Sequence, residues 1–176
     1  TPIGAAFVLC YAAVWCGLWA ATRADGLALA LAAVLAVPCI WLSLQDLADF
    51  TIPDAATLVV AATGLTGQWL FHPATLGATV VIAALVTAVF WCAGALHYRM
   101  RGQEGLGIGD AKLLGAGVLC VGAFAIWWVV LIAALGGIVL AVINRIRRPG
   151  AQGGIPFGPF LAFAIYVVFV FQMATA

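Results

Sequence analysis

Long apolar runs broken by short polar intervals set the pattern of this chain. The runs fall at about 3–22, 27–45, 55–71, 75–97, 111–122, 123–143 and 157–175. Between them lie "RADG", "DLADFTIPD", "HP", "HYRMRGQEGLGIG" and "NRIRRPGAQGGIP", where glycine, proline and charge gather and helices stop. Most runs approach the roughly 20 residues that an α-helix needs to cross the hydrocarbon of a bilayer. The run at 111–122 is short enough to be a half-helix, so the pattern predicts six or seven crossings. No internal repeat is evident. The expectation is an all-α fold, a polytopic transmembrane helix bundle forming one domain over 1–176.

Composition strengthens this reading. Of 176 residues 66% are hydrophobic and 7% charged, where soluble domains carry roughly a quarter charged residues. The mean hydropathy is +1.21, so the bilayer is the expected partner. A net charge of +1 and the lack of a nucleic-acid-binding basic run argue against nucleic acid. Five cysteines are scattered through apolar runs without a C-x-x-C pair, and they read as small buried hydrophobes rather than as a metal site or disulfide framework. His72 and His97 fall at span ends on opposite sides, which argues against a joint metal site. Trp69, Trp91, Trp127 and Trp128 fit an interfacial aromatic belt or packing positions. The first run lacks the basic region and cleavage site of a signal peptide, and the chain starts without Met, consistent with residues removed upstream.

Charge sets the orientation. With seven spans the intervals at 46–54, 98–110 and 144–156 share one side. Six of the seven Lys and Arg belong there (Arg99, Arg101, Lys112, Arg145, Arg147 and Arg148), with Arg23 opposite. Positive charge marks the cytoplasmic side, which puts the N-terminus inside and the C-terminus outside. Six spans would move the last interval and its three arginines to the far side, so charge favours seven. "RIRRPG" suits anionic lipid headgroups better than a basic peptide.

The acids then stand out. Asp25 and Glu104 read as solvated loop charges. Asp46, Asp49, Asp54 and Asp110 all fall near the same mouths of the spans, where an ionisable group costs several kcal/mol unless it is paired, wet or working. Asp46 ends the second span and Asp110 opens the fifth, 64 residues later. Two carboxylates brought together there would share a proton, as an aspartic protease requires. One takes a proton from the attacking water while its protonated partner polarises the peptide carbonyl. Gly107 and Gly109 would let the backbone before Asp110 adopt left-handed dihedrals and admit another chain. They could equally serve only to break the helix or pack it closely.

Three blocks carry a resemblance. "DLADFTIPD" (46–54) places Pro53 seven residues after Asp46, "EGLGIGDAKLLGA" (104–116) places Lys112 two residues after Asp110, and "GGIPFGPFLA" (153–162) opens the last run. Together and in order they resemble the type IV prepilin peptidases, membrane aspartic proteases of the G-x-G-D group. The resemblance implies an endopeptidase of the bacterial inner membrane that cuts the leader from type IV prepilins or pseudopilins after Gly at the cytoplasmic face. It also implies no metal or other cofactor at the proteolytic site. Asp46 and Asp110 would be the catalytic pair, supported by Gly107, Gly109, Lys112 and Pro53.

Asp49 stands where the family places polar or basic residues and is the alternative first acid; the spacing to Pro53 favours Asp46. Lys112 could tune the aspartates or simply snorkel. "IPFGPF" could be an irregular helix start or line the substrate cleft. Many family members also carry a cytosolic insertion with paired C-x-x-C motifs and N-methylate their product. This chain has neither, so it reads as a peptidase core, either complete or trimmed at its front. The competing class is a small proton- or ion-coupled transporter using the same aspartates. Against it stand acids clustered at one face and the lack of an inverted repeat. A presenilin-like protease shares G-x-G-D but carries a Pro-Ala-Leu block that is missing here. A structural subunit would not need two acidic mouths.

Overall fold

The computed structural model of the chain describes residues 2–22, 26–101, 107–147 and 156–175. Seven α-helices follow one another: α1 (Pro2–Thr22), α2 (Gly26–Asp49), α3 (Asp54–Phe71), α4 (Leu76–Arg101), α5 (Ile108–Val121), α6 (Ile126–Arg147) and α7 (Gly158–Thr175), with a single 3₁₀ turn at Pro73–Thr75. No strand occurs among the described residues. Each apolar run becomes a helix because lipid offers the backbone no hydrogen-bonding partner, so its N–H and C=O groups must pair within the segment. Four stretches, Gly26–Asp49, Pro73–Met100, Ile126–Ile146 and Gly158–Thr175, are long and apolar enough to cross a membrane. The protein is a polytopic helix bundle.

The helix ends follow local chemistry. α2 closes on Phe50, which takes φ 53° while its N–H bonds the Asp46 carbonyl at 3.0 Å. That left-handed conformation is unusual for a residue with a side chain and marks strain in the α2–α3 turn. Pro53, extended at φ −69° and ψ 125°, launches α3. At the far end of α5, Gly122 adopts φ 79° and reverses the chain into α6.

α5 has 14 residues, about 21 Å of helix, less than the roughly 30 Å of hydrocarbon. It is tolerated because it is enclosed: it packs most extensively on α3 and α4, and also on α7. Small residues make that enclosure possible. A Cβ at Gly64 of α3 would lie 2.6 Å from the Cys120 backbone nitrogen, one at Gly117 would lie 2.8 Å from Ile165 of α7, and one at Gly115 would strike Thr87 of α4. α7 is a second hub, packing on α2, α6, α5 and α1. Tyr11 of α1 joins it through Tyr166 and Phe163, with ring centroids 4.8 and 5.4 Å apart.

α4 and α6 line the outside, with residues such as Val81, Leu85, Trp127 and Ile138 facing outward. This inversion of the soluble pattern suits a lipid solvent. The cysteines divide accordingly: Cys39 and Cys120 are buried, whereas Cys10, Cys16 and Cys92 face out. Burial therefore accounts for two of them, and apolar surroundings for the others. Trp69 and the Trp127–Trp128 pair are exposed at the end of α3 and the start of α6.

Candidate active site

The start of α3, the start of α5, the start of α7 and the end of α2 meet at one end of the bundle. The opposite end is tied by Gln172 of α7, whose Nε2 donates to the Val121 carbonyl of α5 at 2.9 Å. α3, α5 and α7 thus run parallel, with α2 antiparallel to them, and this arrangement brings distant parts of the sequence together.

Asp46 sits in the last turn of α2 with 5% of its surface exposed. Its Oδ2 accepts the backbone N–H of Gly158, the first residue of α7, at 3.0 Å. Asp110 lies in the first turn of α5 and is within electrostatic reach of Asp46. The Gly107 amide faces the Asp110 carboxylate. Asp110 Oδ1 is buried without a hydrogen-bond partner among the described residues. The site therefore brings together two carboxylates, two backbone amides and one carboxylate oxygen free to bond a proton or a ligand.

The glycines before Asp110 do not adopt left-handed dihedrals. Gly107 is extended at φ −62° and ψ 139°, and Gly109 is already helical. Their contribution is space. A Cβ at Gly109 would lie 2.9 Å from the Cβ of Ile52, and one at Gly107 would lie 3.2 Å from Asp110 Oδ2. The chain that approaches Gly109 is the protein's own α2–α3 turn. Ile52 also reaches Gly158, where a Cβ would lie 3.2 Å from Ile52 Cδ1. It wedges the three mouths together.

Asp49 lies one turn beyond Asp46 and is exposed. Pro53 is half-buried beside Ile52. Lys112 projects from a different face of α5 from Asp110, since two residues turn a helix by about 200°. Its Nζ pairs with Asp54 Oδ1 at 2.7 Å, with 46% and 69% of the two side chains exposed. The pair stands at the mouth of an apolar groove of about 530 Å³ between α3 and α4, floored by Gly115, Ala116 and Leu119 of α5. Of the third block, Pro156 to Ala162 are described, and within it α7 starts at Gly158, whose amide bonds Asp46. Sequence reasoning marked that block without finding this bond, and it passed over Ile52 altogether. Glu104, Arg23, Asp25, Arg148 and residues 153–155 lie outside the described residues.

Comparison with known proteins gives this geometry a context. A family model, the type IV leader peptidase family, matches residues 33–142, more than half of the chain. That stretch includes Asp46 and Asp110, with most of α2 and all of α5. A prepilin leader peptidase/N-methyltransferase of Burkholderia pseudomallei (strain 1026b) is 36% identical over 166 residues, covering 92% of this chain and 53% of that protein. The protein of the same name from Xanthomonas campestris pv. campestris is 40% identical over 131 residues, covering 70% and 44%. Its counterpart in Escherichia coli (strain K12) is 33% identical over 121 residues, covering 69% and 54%. The chain thus spans about half the length of the relatives it matches. No solved structure matches it. With two carboxylates meeting at the mouth of a membrane bundle and a family model covering both, the chain belongs to the type IV leader peptidase family.

Proposed function

We propose that the chain is an aspartic endopeptidase that removes the leader from type IV prepilins or pseudopilins, with Asp46 and Asp110 as its catalytic pair. The observation that carries this reading is the meeting of two largely buried carboxylates, from helices far apart in sequence, at a bundle mouth. Like charges within electrostatic reach of each other disfavour double ionisation, so in this reading the pair shares one proton at working pH. The ionised member takes a proton from water as its oxygen attacks the scissile carbonyl. The protonated member donates to the carbonyl oxygen. When the C–N bond breaks, the proton held by the first carboxylate passes to the leaving amine, the second carboxylate takes a proton back from a hydroxyl of the collapsing gem-diol as the new carboxyl group forms, and the pair returns to its starting state.

Substrate geometry suits this placement. A prepilin holds its apolar segment in lipid and its basic leader in water, so the bond between them lies at headgroup depth. Charge distribution supports a cytoplasmic site in a multi-pass protein of the bacterial inner membrane. The names of the relatives also include N-methyl transfer, but peptide hydrolysis alone is proposed for this chain.

The test uses purified protein in detergent and a prepilin carrying Gly before its hydrophobic segment. The wild type yields the shortened product. Asp46→Asn and Asp110→Asn each lose at least about a thousandfold in rate while still inserting, and Asp49→Asn retains cleavage. Near-normal cleavage by Asp110→Asn overturns the proposal.

A further inference from the structure

We propose that Gly158 is a positioning residue: its backbone amide fixes Oδ2 of Asp46, leaving the other carboxylate oxygen to face water and Asp110. This inference rests on the catalytic-pair reading above.

The amides of the first turn of α7 show why Gly158 is the donor. Phe160 and Leu161 both bond the Phe157 carbonyl at 3.1 Å, and Pro159 has no N–H to give. Gly158 is therefore the first-turn donor that points outward, and it meets Asp46 at 3.0 Å. The positive end of the α7 dipole adds to its attraction for a carboxylate. The mount is rigid, because Phe160 lies so close to α6 that a Cβ at Gly136 would come within 2.5 Å of its ring.

The position also requires glycine. A Cβ at 158 would stand 2.8 Å from Asp46 Oδ2, 3.0 Å from Asp46 Cγ and 3.2 Å from Ile52 Cδ1. Ile52 can give way at its flexible tip, but Asp46 cannot without leaving its place. Hydrogen bonding to a carboxylate's charged form favours that form, so the amide orients Asp46 and keeps it ready to act as base. Among the described residues, the groups facing Asp46 are Asp110 from α5, the Gly158 amide from α7 and the uncharged Ile52 from the α2–α3 turn. Lys112 and Asp54 pair with each other on a different face of α5.

The experiment compares Gly158→Ala with wild type in steady-state prepilin cleavage across pH. Gly77→Ala, whose added Cβ meets nothing within 4 Å, serves as the control. For Gly158→Ala the expected result is a fall in kcat of about a hundredfold, the order that a misplacement near 1 Å produces. KM stays within about threefold, because the contact is with the acid and not the peptide. The acidic limb of the kcat/KM profile moves to higher pH, because the carboxylate loses a hydrogen bond that favours its charged form. Unchanged kcat, or a raised KM with normal kcat, overturns the inference.

A second measurement needs no catalysis and covers a variant too unstable to assay. Gly158→Ala lowers Tm in the wild-type background. In an Asp46→Ala background it costs nothing, because the methyl group fills the space the carboxylate has left. Equal losses in both backgrounds overturn the contact. Cleavage surviving in Asp46→Asn and Asp110→Asn refutes the catalytic pair instead, and the stability cycle distinguishes the two failures.

Discussion

Gly109→Ala tests whether the α2–α3 turn and the start of α5 are held at a fixed separation. The new Cβ would lie 2.9, 3.3 and 3.4 Å from Cβ, Cγ1 and Cδ1 of Ile52. Carbon atoms settle about 3.5–4.0 Å apart. A new rotamer of Ile52 relieves the second and third contacts, but backbone geometry fixes the first. The turn or the helix start must therefore retreat by roughly 0.6–1 Å. One side of that contact lies between Asp46 and Asp54, and the other is the residue before Asp110, so the carboxylate separation changes on the same scale.

A displacement of that size predicts about a hundredfold loss in kcat, close to 2.7 kcal/mol in the barrier. Overpacking costs stability by roughly 1–3 kcal/mol. The assay is prepilin cleavage by the purified protein in lipid discs, with Tm followed in parallel. Compensation makes the test specific. Ile52→Ala keeps the offending Cβ and leaves Gly109→Ala impaired, whereas Ile52→Gly removes it and restores at least about tenfold of the rate. Wild-type kcat and Tm in Gly109→Ala, or equal rescue by the two Ile52 variants, would refute the reasoning.

Other predictions address the scaffold. Gly64→Ala sets a methyl group 2.6 Å from the Cys120 nitrogen and 2.7 Å from the Leu119 carbonyl carbon; backbone cannot yield as a side chain does, so a loss of about 2–3 kcal/mol is expected, and an unchanged Tm in detergent contradicts it. Lys112→Gln breaks an ion pair whose two side chains are 46% and 69% exposed. It should cost less than about 1 kcal/mol, and a loss above about 2 kcal/mol in a denaturation series would show that the pair does more than bridge α3 and α5. Phe50→Gly removes the left-handed strain of a side chain that is 59% exposed, for a gain of roughly 1 kcal/mol and a Tm about 2–4 °C higher; a lowered Tm means that the Phe50 ring supplies packing that outweighs the strain.

Much of the fold was legible because lipid imposes one rule on every crossing segment. Apolar runs marked all seven helices to within a few residues, and Pro53 and the glycines marked their breaks. The candidate site was legible in its charges, since a carboxylate in so apolar a chain is conspicuous wherever it falls. What joins those charges was not. The Gly158 amide and Ile52 carry no chemical label in the sequence, and an amide that bonds Asp46 across 112 residues has no local signature. For the glycines before Asp110, residue type alone leaves special dihedrals, close approach of a chain and tight packing all open. Their actual use, room for Ile52, depends on where another segment lies. Lys112 likewise stood beside Asp110 in sequence, but helical rotation took it to Asp54.

The bond from Gly158 to Asp46 also constrains the path of the chain through the bundle. α2 ends where α7 begins, so the four helices between them must bring the chain back to the same side. An α5 that entered and returned as a half-helix would leave three crossings between Asp49 and Gly158 and put α7's first residue at the opposite face, some 30 Å from Asp46. The 3.0 Å contact thus requires α5 to run from one end of the bundle to the other, although it has only 14 residues. Its shortness is tolerated because α3, α4 and α7 enclose most of its length. The charge distribution agrees with this path, since it keeps Arg145 and Arg147 on the side of Arg99 and Lys112. The parallel course of α5 and α7 then turns two helix N-termini, each the positive end of a dipole, toward the two carboxylates. That arrangement offsets part of the cost of burying acids here, and it would be lost if either helix were reversed.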